Sequence, residues 1–116
     1  MLFSGLALAL SGLVVGTVAE LAARGIIRPN GGAGIRIASV MKSEASWLAG
    51  HRAARLWLYG AALAFLAAGI LSAVAAERVA ETSMLIGMAA GLLFILAGTF
   101  AASRAARRCN DPDTQK

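Results

Sequence analysis

The sequence has one cysteine, Cys109, one histidine, His51, two prolines and only six acidic residues among its 116. A lone cysteine excludes an intrachain disulfide framework, and no histidines or cysteines recur at metal-ligand spacing, so no metal site is expected. Beside His51 the sequence sets no serine, cysteine or second carboxylate to act as nucleophile or partner, which leaves acid–base and nucleophilic chemistry without a constellation. No catalytic residue, no cofactor-binding residue and no metal ligand is therefore assigned, and the chain is not expected to be an enzyme. A proton relay would need further acidic or histidine groups inside the apolar runs, where Glu20 is the one acid. The two prolines, Pro29 and Pro112, lie outside those runs, so neither interrupts a helix there.

What is abundant is apolar: 59% of the residues, against 15% charged. A chain this short cannot hide that much apolar surface inside a soluble globule, and a lipid bilayer is the solvent that suits it. Three apolar runs, 2–23, 56–76 and 84–102, each approach the roughly 20 residues that carry a helix across about 30 Å of hydrocarbon. The expected fold is an all-α membrane protein of three transmembrane helices. Residues 1–108 form its single domain, and 109–116 form a short flexible tail with no apolar periodicity. The first run has no basic segment before it and no small-residue cleavage site near Glu20 to Gly25, so it is expected to stay as a span rather than leave as a signal peptide.

Charge gives an orientation. Arg24, Arg28, Arg36, Lys42, Arg52 and Arg55 flank the first connection, and Arg104, Arg107, Arg108 and Lys116 follow the third run. The second connection, around Glu77, Arg78 and Glu81, is short and carries more acid than base. By the positive-inside rule the N-terminus lies outside and the C-terminus in the cytoplasm, across a bacterial inner (cytoplasmic) membrane. A net charge of +5 would suggest nucleic acid in a soluble protein. Here the cations sit at helix ends with no folded basic domain to present them, so the expected partners are the lipid bilayer and another membrane protein or a peptide, and not nucleic acid.

Helix association in lipid depends on close backbone approach at small residues. Gly5, Ala9, Gly12 and Gly16 mark such a stripe on the first span, Gly60, Ala64, Ala68 and Ser72 on the second, and Gly87, Gly91 and Gly98 on the third. Of these, Gly12, Gly16, Gly60, Gly87 and Gly91 are taken as the packing positions. Glu20 lies four residues before Arg24, the favourable order for a helical ion pair near a membrane interface.

The first connection is the most informative segment. Pro29, Asn30, Gly31, Gly32 and Gly34 break the chain as it leaves the membrane. Ser43 is placed as an N-cap with Glu44 in the first turn, and one helix can then run from Glu44 through Ala76, with 44–55 as a cytoplasmic interfacial extension of the second span. Glu44, His51 and Arg55 share a stripe on that extension at i, i+7, i+11, within reach of one another or of the loop at Arg36. The loop is expected to fold back onto the helix start, with Glu44 accepting hydrogen bonds from Arg36 or Arg52 and Trp47 seated at the headgroup level.

In order, Pro29 and Asn30, then Gly34, Ile35 and Arg36, then Ser43, Glu44 and Trp47, then His51 and Arg52, resemble the signature of the SdpI family of small bacterial membrane proteins. The resemblance covers about 28–59. Two positions depart from it: Ile37 stands where a threonine is usual after the Gly-Ile-Arg run, and Arg55 where a glycine commonly follows the His-Arg pair. The resemblance implies a binding or protective role, of the toxin-immunity or signalling type. The binding motif it marks comprises Asn30, Gly34, Arg36, Ser43, Glu44, Trp47, His51 and Arg52. Two other readings compete: a small accessory subunit of a larger membrane complex, and a holin-like pore former, which would have no use for an ordered polar connection.

Overall fold

The computed structural model describes residues 1–115, so Lys116, counted above among the basic residues, lies outside the described residues. Three long helices, α1 (Leu2–Ala23), α3 (Glu44–Val74) and α4 (Glu77–Asn110), are each long and apolar enough to cross a membrane. A single turn, α2 (Ala38–Met41), lies within the first connection, and a 3-10 turn, Pro112–Gln115, follows α4. No strand occurs among the described residues.

The first helix keeps its expected bounds, and its end is built by Gly25, whose φ of +78° suits glycine alone. The amide of Gly25 donates to Ala22 O and that of Ile26 to Leu21 O, a Schellman closure that uses up the carbonyls the helix leaves over. The third helix starts where Ser43 caps it. Ser43 Oγ accepts from the Ser46 amide at 3.0 Å, and Ser46 Oγ accepts in return from the Ser43 amide at 2.9 Å.

The second connection differs from expectation. Only Ala75 and Ala76 separate α3 from α4, and Glu77, Arg78 and Glu81 belong to the first turns of α4. The last helix also runs beyond residue 102 to Asn110, absorbing the first two residues of the expected flexible tail. The reason is that a helix need not stop where the lipid does. Glu, Arg and Ala are good helix formers, Glu77 sits at the positive end of the helix, and Arg107 and Arg108 sit at the negative one. At 1.5 Å per residue, α4 is about 51 Å long, well beyond the roughly 30 Å of hydrocarbon.

The middle of the bundle is held by α3, with α1 and α4 packed on either side of it. A methyl group on Gly5 or Gly12 would lie 2.5 or 2.6 Å from a carbonyl oxygen of α3, so the α1 and α3 backbones touch. The α3 partner of Gly5 is Gly69, which lies outside the expected packing positions, and that of Gly12 is Ala62. On the other side, a methyl on Gly87 would meet Ala68 and one on Gly91 would meet the Phe65 ring, while Gly60 makes room for the Phe94 ring. Gly16 is looser, its nearest neighbour Ala62 Cβ at 3.3 Å. The outward faces are apolar, with Phe3, Leu63, Leu85, Leu93 and Phe100 exposed, as lipid contact requires.

Candidate functional site

All of α1's last turn, the first connection, the start of α3 and the end of α4 gather at the basic end of the bundle. There the connection folds back over α3 as expected, though through different bonds. Asn30 organises its turn: Oδ1 accepts from the amides of Gly32 and Ala33 at 2.8 and 2.7 Å, and Nδ2 donates to the carbonyls of Arg28 and Ala33. Gly34 then lays the chain flat on α3. Its φ is +101°, and a Cβ there would come within 2.7 Å of the Trp47 ring and 2.9 Å of His51 Nε2.

Two side chains of α3 hold this loop by its backbone, and a third holds the end of α1 from which it starts. The Ile35 amide donates to His51 Nε2 at 2.9 Å, Trp47 Nε1 donates to Ile27 O at 2.8 Å, and Arg52 Nε donates to Ala23 O at 3.1 Å. The last of these places a cation on the C-terminal carbonyls of α1, where the helix dipole is negative. His51 Nδ1 lies 2.9 Å from Trp47 O, a group that only accepts. The hydrogen-bond network therefore assigns the proton to Nδ1 and leaves Nε2 as the acceptor, a neutral imidazole with both nitrogens committed to backbone. Trp47 and His51 are buried, and their rings lie 4.2 Å apart. Ser46, also buried, adds a bond from its hydroxyl to Val40 O, tying α2 to the helix start.

Four expectations need correction. Glu44 does not accept from Arg36 or Arg52: its side chain is 72% exposed, and its nearest cation is Arg28 at 3.7 Å, beyond hydrogen-bond range. Arg36 points into solvent and has no polar partner among the described residues. Trp47 is not a headgroup anchor but a core residue, and Trp57 is the exposed tryptophan. The acid, imidazole and cation of the α3 stripe do not meet, because Glu44 turns outward while Arg55 turns towards α1. Glu20 takes the role expected of Glu44. It binds Arg55 through both carboxylate oxygens, the Nε contact at 2.9 Å, and Arg24 Nε at 2.6 Å, while Arg55 also reaches Tyr59 Oη at 3.3 Å. Sequence spacing pairs Glu20 with Arg24 alone.

Beneath the folded loop lies a cavity of about 310 Å³. Val14 and Val18 of α1, Leu58 of α3 and Ile95 of α4 form apolar walls, His51 forms a polar patch, and Gly32 to Ile35 roof it. The pinned loop is thus both a surface and a lid on an apolar pocket.

A family model, that of the SdpI/YfhL protein family, matches residues 26–102. The chain belongs to this family. The match begins at the loop and runs through α2, α3 and most of α4, so it spans every group of the Trp47–His51 knot. No curated protein and no solved structure matches the chain. Membership together with the three apolar helices makes this an SdpI-family multi-pass membrane protein.

Proposed function

We propose that this SdpI-family protein has a binding, not a catalytic, role, of the protective or signalling type, exercised through the pinned loop at its basic end. The observation that supports it most is the mode of pinning. His51 and Trp47 spend their polar groups on loop backbone and Arg52 on the last carbonyl of α1, which leaves Arg28, Arg36 and Glu44 exposed on a scaffold that is already ordered. Preformed surfaces bind without a further ordering cost. The partner is a membrane protein or a peptide carrying acidic groups opposite Arg28 and Arg36. Membrane placement follows the basic residues: a bacterial cytoplasmic membrane, N-terminus outside, basic end inside.

The test is photo-crosslinking in native membranes, with the photoreactive residue at Arg36 in one strain and at Arg78, at the other end of the bundle, in a second. A discrete adduct from position 36 and none from 78 supports the reading. A stoichiometric large membrane complex captured at both positions would replace it with the accessory-subunit reading, and lysis on expression would replace it with the pore reading. Orientation has its own test. An impermeant thiol reagent applied to intact cells should leave Cys109 unmodified and label Glu81→Cys in a Cys109→Ser background. Labelling of Cys109 from outside reverses the topology.

A further inference from the structure

Away from the loop, on the lipid-facing side of the bundle, α2 and α4 leave a trough between them. Two hollows of about 590 and 470 Å³ share Ala38, Ser39 and Arg107 and so run into one another along the seam. Chemistry changes in order along it. Leu96 and Phe100, both 65% exposed, form an apolar floor within the apolar run 84–102. Ser103 and Ser39 bring polar groups at mid-height, and Arg107 and Lys42 line the end outside the hydrocarbon. Leu96, Phe100, Ser103 and Arg107 follow one another at four, three and four residues, one face of α4, over about 16 Å.

We propose that this trough is a binding site for one anionic phospholipid. Its acyl chain lies on Leu96 and Phe100, its phosphate sits level with Ser103, and the guanidinium of Arg107 and the ammonium of Lys42 neutralise it. Charge complementarity carries the assignment. Arg107 and Lys42 are exposed and have no polar partner among the described residues, so an anion displaces no existing ion pair. Arg104, one turn after Phe100, stands with its guanidinium 5.9 Å from that ring's centroid, adding positive potential at the same height. Asp111 bounds the trough on its solvent end, which sets the phosphate below it, beside Arg107. The trough also has a fixed outer wall, because Asn110 Nδ2 donates to Ser39 O at 2.9 Å and ties the end of α4 to α2. This site is separate from the pinned loop, and its failure would leave the proposed role of the loop untouched.

Native mass spectrometry of the full chain in mild detergent tests it, using phosphatidylglycerol and phosphatidylcholine with identical acyl chains. A single phosphatidylglycerol adduct should persist at activation energies that strip phosphatidylcholine. Arg107→Gln and Lys42→Gln should each weaken it about fivefold, the worth of one cation at an anionic surface, while Arg78→Gln at the opposite end should leave it unchanged. Both lysine and arginine variants change exposed side chains, so either one serves if the other folds poorly. Equal retention of the two lipids, or equal losses from Arg107→Gln and Arg78→Gln, overturns the proposal in favour of diffuse charge. Displacement of the adduct by excess inorganic phosphate overturns it in favour of a free-anion site.

Discussion

The two ends of this bundle are closed in opposite ways. At one end α3 passes into α4 through Ala75 and Ala76, and one hydroxyl secures the corner, Ser72 Oγ donating to Ala80 O at 3.0 Å. At the other end the chain spends residues 24–43 on joining α1 to α3, which pack directly on one another, and it buries an indole, an imidazole and a serine hydroxyl to hold the connection. Burying polar groups costs free energy unless each finds a partner, and here each does, with no orphaned buried side-chain polar atom among the described residues. A bundle that needed only to connect its helices has no use for such a structure. The contrast separates what holds the helices together, which is backbone contact at small residues, from what the basic end adds to them.

The largest expected effect is at the knot. Trp47→Ala removes a buried indole and leaves Ile27 O without its donor, and should cost about 3–5 kcal/mol in reversible unfolding in detergent. Trp47→Phe sharpens this by keeping most of the volume and losing only the N–H, so it should cost about 1 kcal/mol, the worth of one hydrogen bond to a half-buried carbonyl. If the alanine variant unfolds like the parent, the loop is not held by the knot, and the two ends do not differ in kind.

Next is the waist between the ends. Gly91→Leu puts a branched side chain where even a methyl would overlap the Phe65 ring, and should cost about 1–3 kcal/mol or separate α4 from α3. Leu92→Ala, at a lipid-exposed neighbour, should change little. Equal effects in a detergent stability assay would mean that α3 and α4 are not held by close approach at that glycine.

The spans are legible in the sequence because a bilayer imposes a length on apolar runs, and the loop is legible because its breakers cluster in Pro29 to Gly34 and the family pattern runs from there to Arg52. Side-chain partners are less so. Glu20 and Arg55 are 35 residues apart, and no local spacing rule links them; only the packing of α1 on α3 does. Folding the loop back onto the start of α3 brings Arg36 near Glu44 in expectation, yet the side chain of Glu44 in the first turn of α3 is exposed. Ser46 carries no signal in the sequence, because the second half of a capping box is usually Glu or Gln. The extension of α4 to Asn110 left no trace in hydropathy, since charged helix formers prolong a helix without marking it.

That reassignment gives the third test. Glu20→Gln should lower the melting temperature, since it takes the charge from a carboxylate that two arginines share, and Glu44→Gln should not. Combining Glu20→Gln with Arg55→Gln should cost less than the sum of the two single changes, because the singles each strand a partner. Strict additivity would make the pair incidental, and a larger effect at Glu44 would restore the pairing expected from sequence.

The smallest effect belongs to the plain end. Ser72→Ala removes one hydrogen bond to Ala80 O while leaving the two-residue turn and the helix backbones as they are. Side-chain hydrogen bonds between helices in membranes average about 0.6 kcal/mol in double-mutant cycles, because the separated helices also find partners, so the loss should be of that order. The value matters as a yardstick for the basic end. The same measurement on His51→Phe removes two hydrogen bonds, one of them the tie to the Ile35 amide, and leaves that amide without its acceptor under the roof of the cavity. If His51→Phe costs no more than Ser72→Ala, the knot is worth no more than a corner. A cost several times larger means that the basic end is held to a single conformation well beyond what joining two helices requires.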